Sequence, residues 1–376
     1  FNLRKRGHDK VSRVTLHIFV FLIVLAMANQ LFAADSEWSG YFELQLGKED
    51  SDTDGRYTKW SGRLKPSWKV KTKPGTLHLS YDLQYTGREG ADSFDTDGSL
   101  HLAYLEIPGK QFDVTVGKQV VHWGSSQIWN PTDVFNQDFL VRLGEFRDGQ
   151  YALRFDRDLN ENVDLTMLVG FKESDEIPDE RIWAFRLGAL IGVTDVALVT
   201  SYDEDLETLN LGMDFKGDIG DNFGWNFEIA NKEDNLGADW IEYVFGLDHT
   251  VYIPKKLLIG MQYYYNESGG DRPSNYDITA FLEGRRASLA QRYVSLAFDY
   301  EMTRRKSASV LLIRNLDDDS IRLFPRFKRT IGGNLDLILG GELGRGSEGE
   351  FNARYGTLTV EDPLPDRWFV YLKRYF

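Results

Sequence analysis

Apolar and polar residues alternate along most of this chain with the two-residue period of a half-exposed β-strand. In the run from Leu77 to Tyr85, leucine and tyrosine occupy one face, while His78, Ser80 and Asp82 occupy the other. Similar runs predict about eighteen strands, at 38–48, 56–71, 76–88, 99–107, 111–122, 149–157, 162–173, 181–192, 194–204, 207–217, 222–233, 240–253, 256–267, 291–303, 306–316, 319–330, 333–345 and 366–376.

The connections between these strands fall into two alternating classes. One class is short, as at 73–75 and 332–333, and the other is longer and acidic, as at 89–98, 268–290 and 346–365. Short turns at one end and long loops at the other are typical of barrels in the bacterial outer membrane. The sequence therefore predicts an all-β fold, a transmembrane antiparallel up-and-down β-barrel, with residues 34–376 as one domain.

Residues 1–33 have the composition of a signal peptide. Five Lys or Arg residues lie between Arg4 and Arg13, and the apolar run from Val14 to Ala28 is short for a membrane-spanning helix. Ala33 and Ala34 supply small side chains for cleavage. We interpret 1–33 as a secretion signal, and the alternative is a retained N-terminal anchor.

Charge and cysteine content exclude several classes of protein. The whole chain carries −14, and the first 33 residues contribute +4, so the remainder carries −18. An acidic chain is a poor partner for nucleic acid, whose phosphates need a basic face. The absence of cysteine excludes disulfides and thiolate metal sites. A mean hydropathy of −0.39 fits a barrel, in which outward apolar and inward polar residues average out.

The C-terminal segment from Arg367 to Phe376 resembles the assembly signal of outer-membrane barrels. It is aromatic and ends on Phe376, and every second residue before it is apolar except Arg374. The family usually has an aromatic residue where Arg374 stands. The resemblance implies that the barrel-assembly machinery and outer-membrane lipid, including lipopolysaccharide, are partners.

The segment 122–148 is the longest break in the strand pattern. Asn130-Pro131 favours a turn, and the nearby apolar residues need something to pack against. We expect either a loop folded into the lumen or an outer loop that packs on its neighbours. The candidate constriction residues are Trp123, Gly124, Trp129, Asn130, Pro131 and Asp133.

Part of this region resembles the alginate-export type of outer-membrane barrel. The matching residues are Gly117-Lys118-Gln119, then Trp123-Gly124 and Asn130-Pro131-x-Asp133. The family has Arg where Lys118 stands. The resemblance implies an eighteen-stranded barrel and does not identify alginate as the cargo.

Charged residues on the predicted inner wall form the strongest chemical pattern. A basic sector and interleaved carboxylates could orient solutes and select ions, or could neutralise one another. The candidate pore-lining residues are Arg63, Lys65, Lys69, Arg322, Arg326, Lys328, Asp299, Glu301, Asp336 and Glu342.

Metal binding and catalysis have weak signals in this sequence. Asp50, Asp52 and Asp54 match the first half of a calcium loop, which makes Ca²⁺ or Mg²⁺ at an outer loop one interpretation and a solvated turn the other. No other cofactor is predicted. His122 near Ser125 and Ser126 is the candidate His–Ser pair for a catalytic dyad, and we do not predict an enzyme.

These patterns predict an outer-membrane porin for passive passage of small polar or anionic solutes. The alternative is an export or scaffold barrel in a multi-protein envelope machine that moves a polymer, a lipid or electrons. The sequence identifies no periplasmic partner for either function.

Overall fold

The computed structural model describes residues 36–51, 55–90, 94–135, 149–171, 181–282, 285–345 and 366–376. The predicted signal peptide, 1–33, lies outside these ranges. Among the described residues, no helix is long and apolar enough to cross a membrane.

Eighteen antiparallel strands make up the fold, and they agree in number with the sequence prediction. In chain order they are β1 (Ser36–Ser51), β2 (Gly55–Lys71), β3 (Thr76–Arg88), β4 (Asp95–Ile107), β5 (Asp113–Gln119), β6 (Gln150–Asn160), β7 (Val163–Phe171), β8 (Arg181–Ile191) and β9 (Thr194–Asp203). The second half comprises β10 (Thr208–Ile219), β11 (Phe223–Glu233), β12 (Asp239–Tyr252), β13 (Lys256–Asn266), β14 (Arg292–Thr303), β15 (Lys306–Asn315), β16 (Ile321–Ile331), β17 (Leu335–Arg345) and β18 (Asp366–Tyr375).

Each strand pairs with the next one along the chain, and β1 also pairs with β18. The sheet is therefore a closed barrel, and the predicted fold class is confirmed. Closure leaves no sheet edge unpaired, as lipid demands of every backbone N–H and C=O group. The short connections, such as 192–193 and 304–305, share the end that holds Phe376. The long connections are at the opposite end.

Alternating side chains give the barrel two different surfaces. Along β18, Trp368, Val370 and Leu372 are exposed on the outer face, whereas Phe369 and Lys373 are buried on the inner face. The same alternation places large apolar side chains outside on most strands. This outer surface matches the apolar band of a membrane barrel.

Three local predictions need correction. Asp95 to Gly98, expected in an acidic loop, belong to β4, where Asp97 pairs with Gln84. Strand β5 ends at Gln119, so the long loop begins before His122. The connection after β13 contains a 3-10 turn and a five-residue helix, Ile278–Leu282.

The barrel closes where Gly40 of β1 meets the C-terminal residue. The N–H of Gly40 donates to the carbonyl of Phe376, and the N–H of Phe376 donates back, both at 3.1 Å. A Cβ on Gly40 would approach the Lys65 carbonyl oxygen to 2.5 Å and the Phe376 ring to 2.8 Å. Any side chain at position 40 therefore crowds the closing seam.

We predict that Gly40→Ala lowers the stability of the folded barrel by about 1–3 kcal/mol, because the neighbouring backbone must move. The measurement is the denaturant midpoint in detergent micelles. Gly62→Ala is the matched control, since its Cβ would have no neighbour closer than 3.7 Å. Equal midpoints for the two variants would show that the seam is not tightly packed.

Candidate functional site

The lumen of the barrel holds a segment of its own chain, residues 120–135. These residues leave β5 and contact the Phe215 carbonyl of β10 and inward side chains of β11, β13 and β14. In a barrel of eighteen strands, β14 lies on the wall opposite β5. The described part of the predicted constriction loop therefore reaches across the lumen, and residues 136–148 lie outside the described ranges.

Local sequence explains how this loop turns inward. Gly117 and Gly124 have φ values of +121° and +92°, a region that side-chain-bearing residues rarely adopt. The N–H of Asp133 donates to the Asn130 carbonyl at 3.0 Å, which closes the turn around Pro131. The Asn-Pro signal thus marks the point where the loop reverses.

A buried carboxylate, Glu228 of β11, anchors the loop. The backbone N–H groups of Ser125 and Ser126 donate to its Oε1 at 2.7 and 2.8 Å, and the Thr132 hydroxyl donates to Oε2 at 2.9 Å. Glu228 has no exposed surface. Several donors to one carboxylate are needed to offset the cost of burying its charge.

An aromatic stack holds the far end of the loop. The Trp129 ring lies parallel to Tyr264 at 5.2 Å and is tilted against Tyr293 at 5.8 Å. All three rings are buried, with Ile128 beside them. The N–H of Ile128 donates to the side-chain oxygen of Gln262 at 3.1 Å. Apolar packing and a hydrogen bond therefore fix the loop to β13 and β14.

His122 and Ser125, the candidate His–Ser pair, contact different partners in the structure. His122 Nδ1 lies 2.7 Å from Asp133 Oδ2, so this histidine holds the two ends of the loop together. The Ser125 hydroxyl is directed to the Phe215 carbonyl and to Glu228, both at 3.4 Å. Neither arrangement is that of a nucleophile and its base.

The described residues of the connection after β13, 267–282 and 285–291, form a second group of contacts at the long-loop end of the barrel. Its Tyr276 packs against the aromatic cluster around Trp129 and donates a hydrogen bond to Asp318 at 2.7 Å. Asn266 at the end of β13 donates to Ser288 at 3.0 Å. The two loops thus meet over β13 to β16.

The predicted basic sector is mostly ion-paired. Arg63 Nε donates to Asp82 Oδ1 at 2.8 Å, and Lys328 Nζ lies 2.8 Å from Asp336. These pairs bring opposite charges together on neighbouring strands. They support the interpretation in which much of the wall charge is neutralised.

Arg322 is the most enclosed cation of this sector. It is 2% exposed, and its guanidinium lies 3.6 Å from Glu342 and 3.8 Å from Asp366. Arg367 of β18 also donates to Glu342. This cluster joins β16, β17 and β18 on the inner wall and presents little charge to the lumen.

The remaining predicted wall residues have varied surroundings. Lys65 is buried, and Lys69 is exposed. Glu301 is exposed near the short-turn end of β14 and lies 3.8 Å from Lys256. The structure therefore does not gather all ten predicted residues into one site.

Arg326 differs from the other wall cations. It is exposed on the inner face of β16, and its side chain has no ion pair or hydrogen bond among the described residues. With Gln127 at the tip of the loop, Asp299 and Glu342, it lines a cavity of about 280 Å³. This cavity separates the loop from the basic sector.

A larger cavity, about 800 Å³, lies on the other side of the loop toward the short turns. Its wall includes His122, Ser125 and Ser126 from the loop. The charged residues of the barrel that line it are Asp158, Glu161, Asp164, Arg186, Asp195, Asp214 and Lys216. Carboxylates outnumber cations here, so the cavity is acidic.

Two residues of the predicted metal site, Asp52 and Asp54, lie outside the described residues. Asp50 accepts a hydrogen bond from Arg56 Nη2 at 2.8 Å. Within the described ranges, no group of three or more His, Asp or Glu side chains is arranged to hold a metal ion.

Sequence reasoning missed the wall residues that hold the loop. Gln262 and Tyr264 lie on the inner face of β13, and Asn226 of β11 donates to the Ser126 hydroxyl. The run Tyr263-Tyr264-Tyr265 contained a usable signal, since strand alternation sends only the middle ring inward.

We predict that Glu228→Gln weakens the attachment of the loop to β11. The glutamine side chain has no charge, and its NH2 group cannot accept the hydrogen bonds that a carboxylate oxygen accepts. The amides of Ser125 and Ser126 should exchange hydrogen at least about tenfold faster, as expected for hydrogen bonds to a charged acceptor. Hydrogen–deuterium exchange measures this. Asp336→Asn is the control, because Asp336 is buried and bonded to Thr330 and Lys328, away from the loop. Unchanged protection at Ser125 and Ser126 would contradict the anchor.

Comparison with known proteins supports the fold through structure rather than sequence. No protein-family profile and no curated protein sequence matches the chain. OccK11 (OpdR) of Pseudomonas aeruginosa is 13% identical with a TM-score of 0.59, covering 91% of this chain and 96% of its own. A BenF-like porin of Pseudomonas fluorescens is 12% identical with a TM-score of 0.60, covering 91% and 98%. OccAB3 of Acinetobacter baumannii is 11% identical with a TM-score of 0.60, covering 91% and 99%.

These neighbours match nearly the whole barrel at identities that show the fold alone. The resemblance to alginate-export-type barrels stays a prediction, because the neighbours named here are Occ and BenF-like barrels. The chain has the fold of outer-membrane porins, a closed antiparallel barrel of eighteen strands with an apolar outer surface and a polar, loop-crossed lumen.

Proposed function

We propose that this protein is an outer-membrane porin that passes small polar or anionic solutes by diffusion. The observation that carries the proposal is the loop at 120–135, which is fastened to the opposite wall and leaves a charged cavity beside it. A narrowed polar passage is what a diffusion channel needs to admit small solutes and exclude large ones. The porin description of the BenF-like neighbour supports the same function.

The passage that we propose runs between the loop tip and the wall formed by β15 to β18. Gln127 and Arg326 line opposite sides of the cavity there. Solutes would continue past the acidic cavity at the short-turn end. The first region has the unpaired Arg326 beside Asp299 and Glu342, whereas the second is mostly acidic, so a polar solute would meet a changing field as it moves through.

Arg326 is the residue that we propose as the anion-selective element. When a cation contacts a carboxylate, the two charges largely cancel a few ångströms away. An unpaired cation keeps a strong field at that distance. Arg63, Arg322 and Lys328 are paired, and Arg326 is not paired within the described part of the chain. Screening is weaker in a narrow, low-dielectric passage than at the outer loops.

We predict that Arg326→Gln shifts the reversal potential of the channel in a salt gradient toward cations. The measurement uses purified protein in planar lipid bilayers. Arg329→Gln is the matched control, because it removes the same charge from the same strand on the outer face. An equal shift in both variants, or no stepwise conductance from the wild-type protein, would refute the proposal.

The export or scaffold function stays the alternative. Conductance from the purified chain alone, with no partner recovered in a pull-down, would count against it. The expected contacts with lipopolysaccharide and the barrel-assembly machinery also stay predictions.

A further inference from the structure

The outer surface of the barrel has an apolar groove across β15 to β18 and β1. Its volume is about 690 Å³, in the range of small-molecule sites. Its floor follows one row of register partners on the lipid-facing side. This row consists of Ala308, Phe327, Leu339, Val370 and Leu46.

Pro325 lines the hollow, together with the small side chain of Ala308 and the ring of Trp368. Pro325 has no N–H to donate, and the pairing of β16 with β17 stops at Leu323 and resumes at Arg326. The ring of the outward Trp368 lies over its partner Gly341, where a Cβ would approach it to 2.7 Å, so this glycine leaves room for the ring that lines the groove. The groove is therefore part of the wall itself and does not depend on a flexible surface residue.

Three cations lie on the same outer face at the short-turn end of this groove. Lys306 and Arg329 are direct register partners, each two residues, about 7 Å, from the groove residues Ala308 and Phe327. Arg374 lies on the lipid-facing register of β18. All three are exposed, and their side chains have no ion pair or hydrogen bond within the described residues.

This arrangement is costly without an anion. Like charges placed directly opposite each other on one face of a sheet destabilise the pair. The register neighbours of Arg374 are Phe42 and Leu335, which cannot neutralise it. A negative group near Lys306, Arg329 and Arg374 would relieve the repulsion.

We propose that this surface is a binding site for an anionic phospholipid of the inner leaflet. One acyl chain lies in the apolar groove, and the headgroup phosphate contacts Lys306, Arg329 and Arg374. The cations are at the short-turn end, which faces the periplasm in outer-membrane barrels, so lipopolysaccharide in the outer leaflet cannot reach them. The site requires that the barrel spans the membrane in that orientation, and it does not require solute conductance.

Native mass spectrometry of the detergent-purified protein tests the site. The probes are phosphatidylglycerol and phosphatidylcholine with identical acyl chains. The wild-type protein should retain phosphatidylglycerol preferentially, and the double variant Lys306→Gln/Arg329→Gln should lose about tenfold in that affinity. The control Lys71→Gln/Lys73→Gln removes the same charge at another exposed periplasmic turn and should bind as the wild type does.

A second variant tests the groove without changing charge. Ala308→Trp should fill the hollow and weaken the binding of both lipids. Equal retention of the two lipids by the wild type, unchanged phosphatidylglycerol binding in Lys306→Gln/Arg329→Gln, or wild-type binding in Ala308→Trp would each overturn the proposal. Conductance of Lys306→Gln/Arg329→Gln should match the wild type, so a failure of the channel proposal would be recognised separately.

Discussion

Closure of the sheet between β1 and β18 is the constraint on which the rest of this structure depends. Ten register pairs, from Tyr41 with Tyr375 to Asp50 with Asp366, join the two ends of the chain. In lipid an unpaired strand edge would leave N–H and C=O groups without partners, at several kcal/mol each. Closure also separates an apolar outer surface from a polar interior, and every functional feature belongs to one of these two surfaces.

The interior is organised by pairing of charges and by the loop that crosses it. Most wall cations contact carboxylates on the neighbouring strand, which joins strands from inside as well as through the backbone. Glu228 is an exception, because its carboxylate accepts hydrogen bonds from the loop and not from a cation of the wall. A buried carboxylate without those donors would be unstable, so the loop and the wall stabilise each other. Arg326 has neither kind of partner in the described residues, which is why we propose it as the residue that acts on passing solutes.

Much of the fold could be predicted because a two-residue period is a local property of each strand. The same period groups Val370 and Leu372 with Phe376 on one face of β18, which is the outer face in the structure, and the turn chemistry of Asn130-Pro131 correctly located a reversal. The contact of Ser126 with Glu228 spans 102 positions in the chain, so no local pattern could reveal it. The distinction between the paired Arg322 and the unpaired Arg326 also depends on neighbouring strands, since both residues look alike in sequence.

The outer surface shows how one departure from a pattern acquires a physical explanation. Arg374 breaks the apolar alternation of the closing strand, which by sequence alone weakens the resemblance to an assembly signal. In the barrel it joins Lys306 and Arg329 at the end of an apolar groove lined by Pro325, Phe327 and Leu339. Cations at this depth are consistent with the membrane interface, where long basic side chains reach polar headgroups.

The central claim is that a loop fastened across the lumen sets the width of an otherwise open barrel. Polymer exclusion in planar bilayers tests it most directly, by recording single-channel conductance with polyethylene glycols of increasing size on both sides. The account predicts stable conductance steps that only the smallest polymers reduce, because larger ones cannot pass the loop. Reduction by polymers wide enough to fill an unobstructed eighteen-stranded barrel, or the absence of any steps, would contradict it.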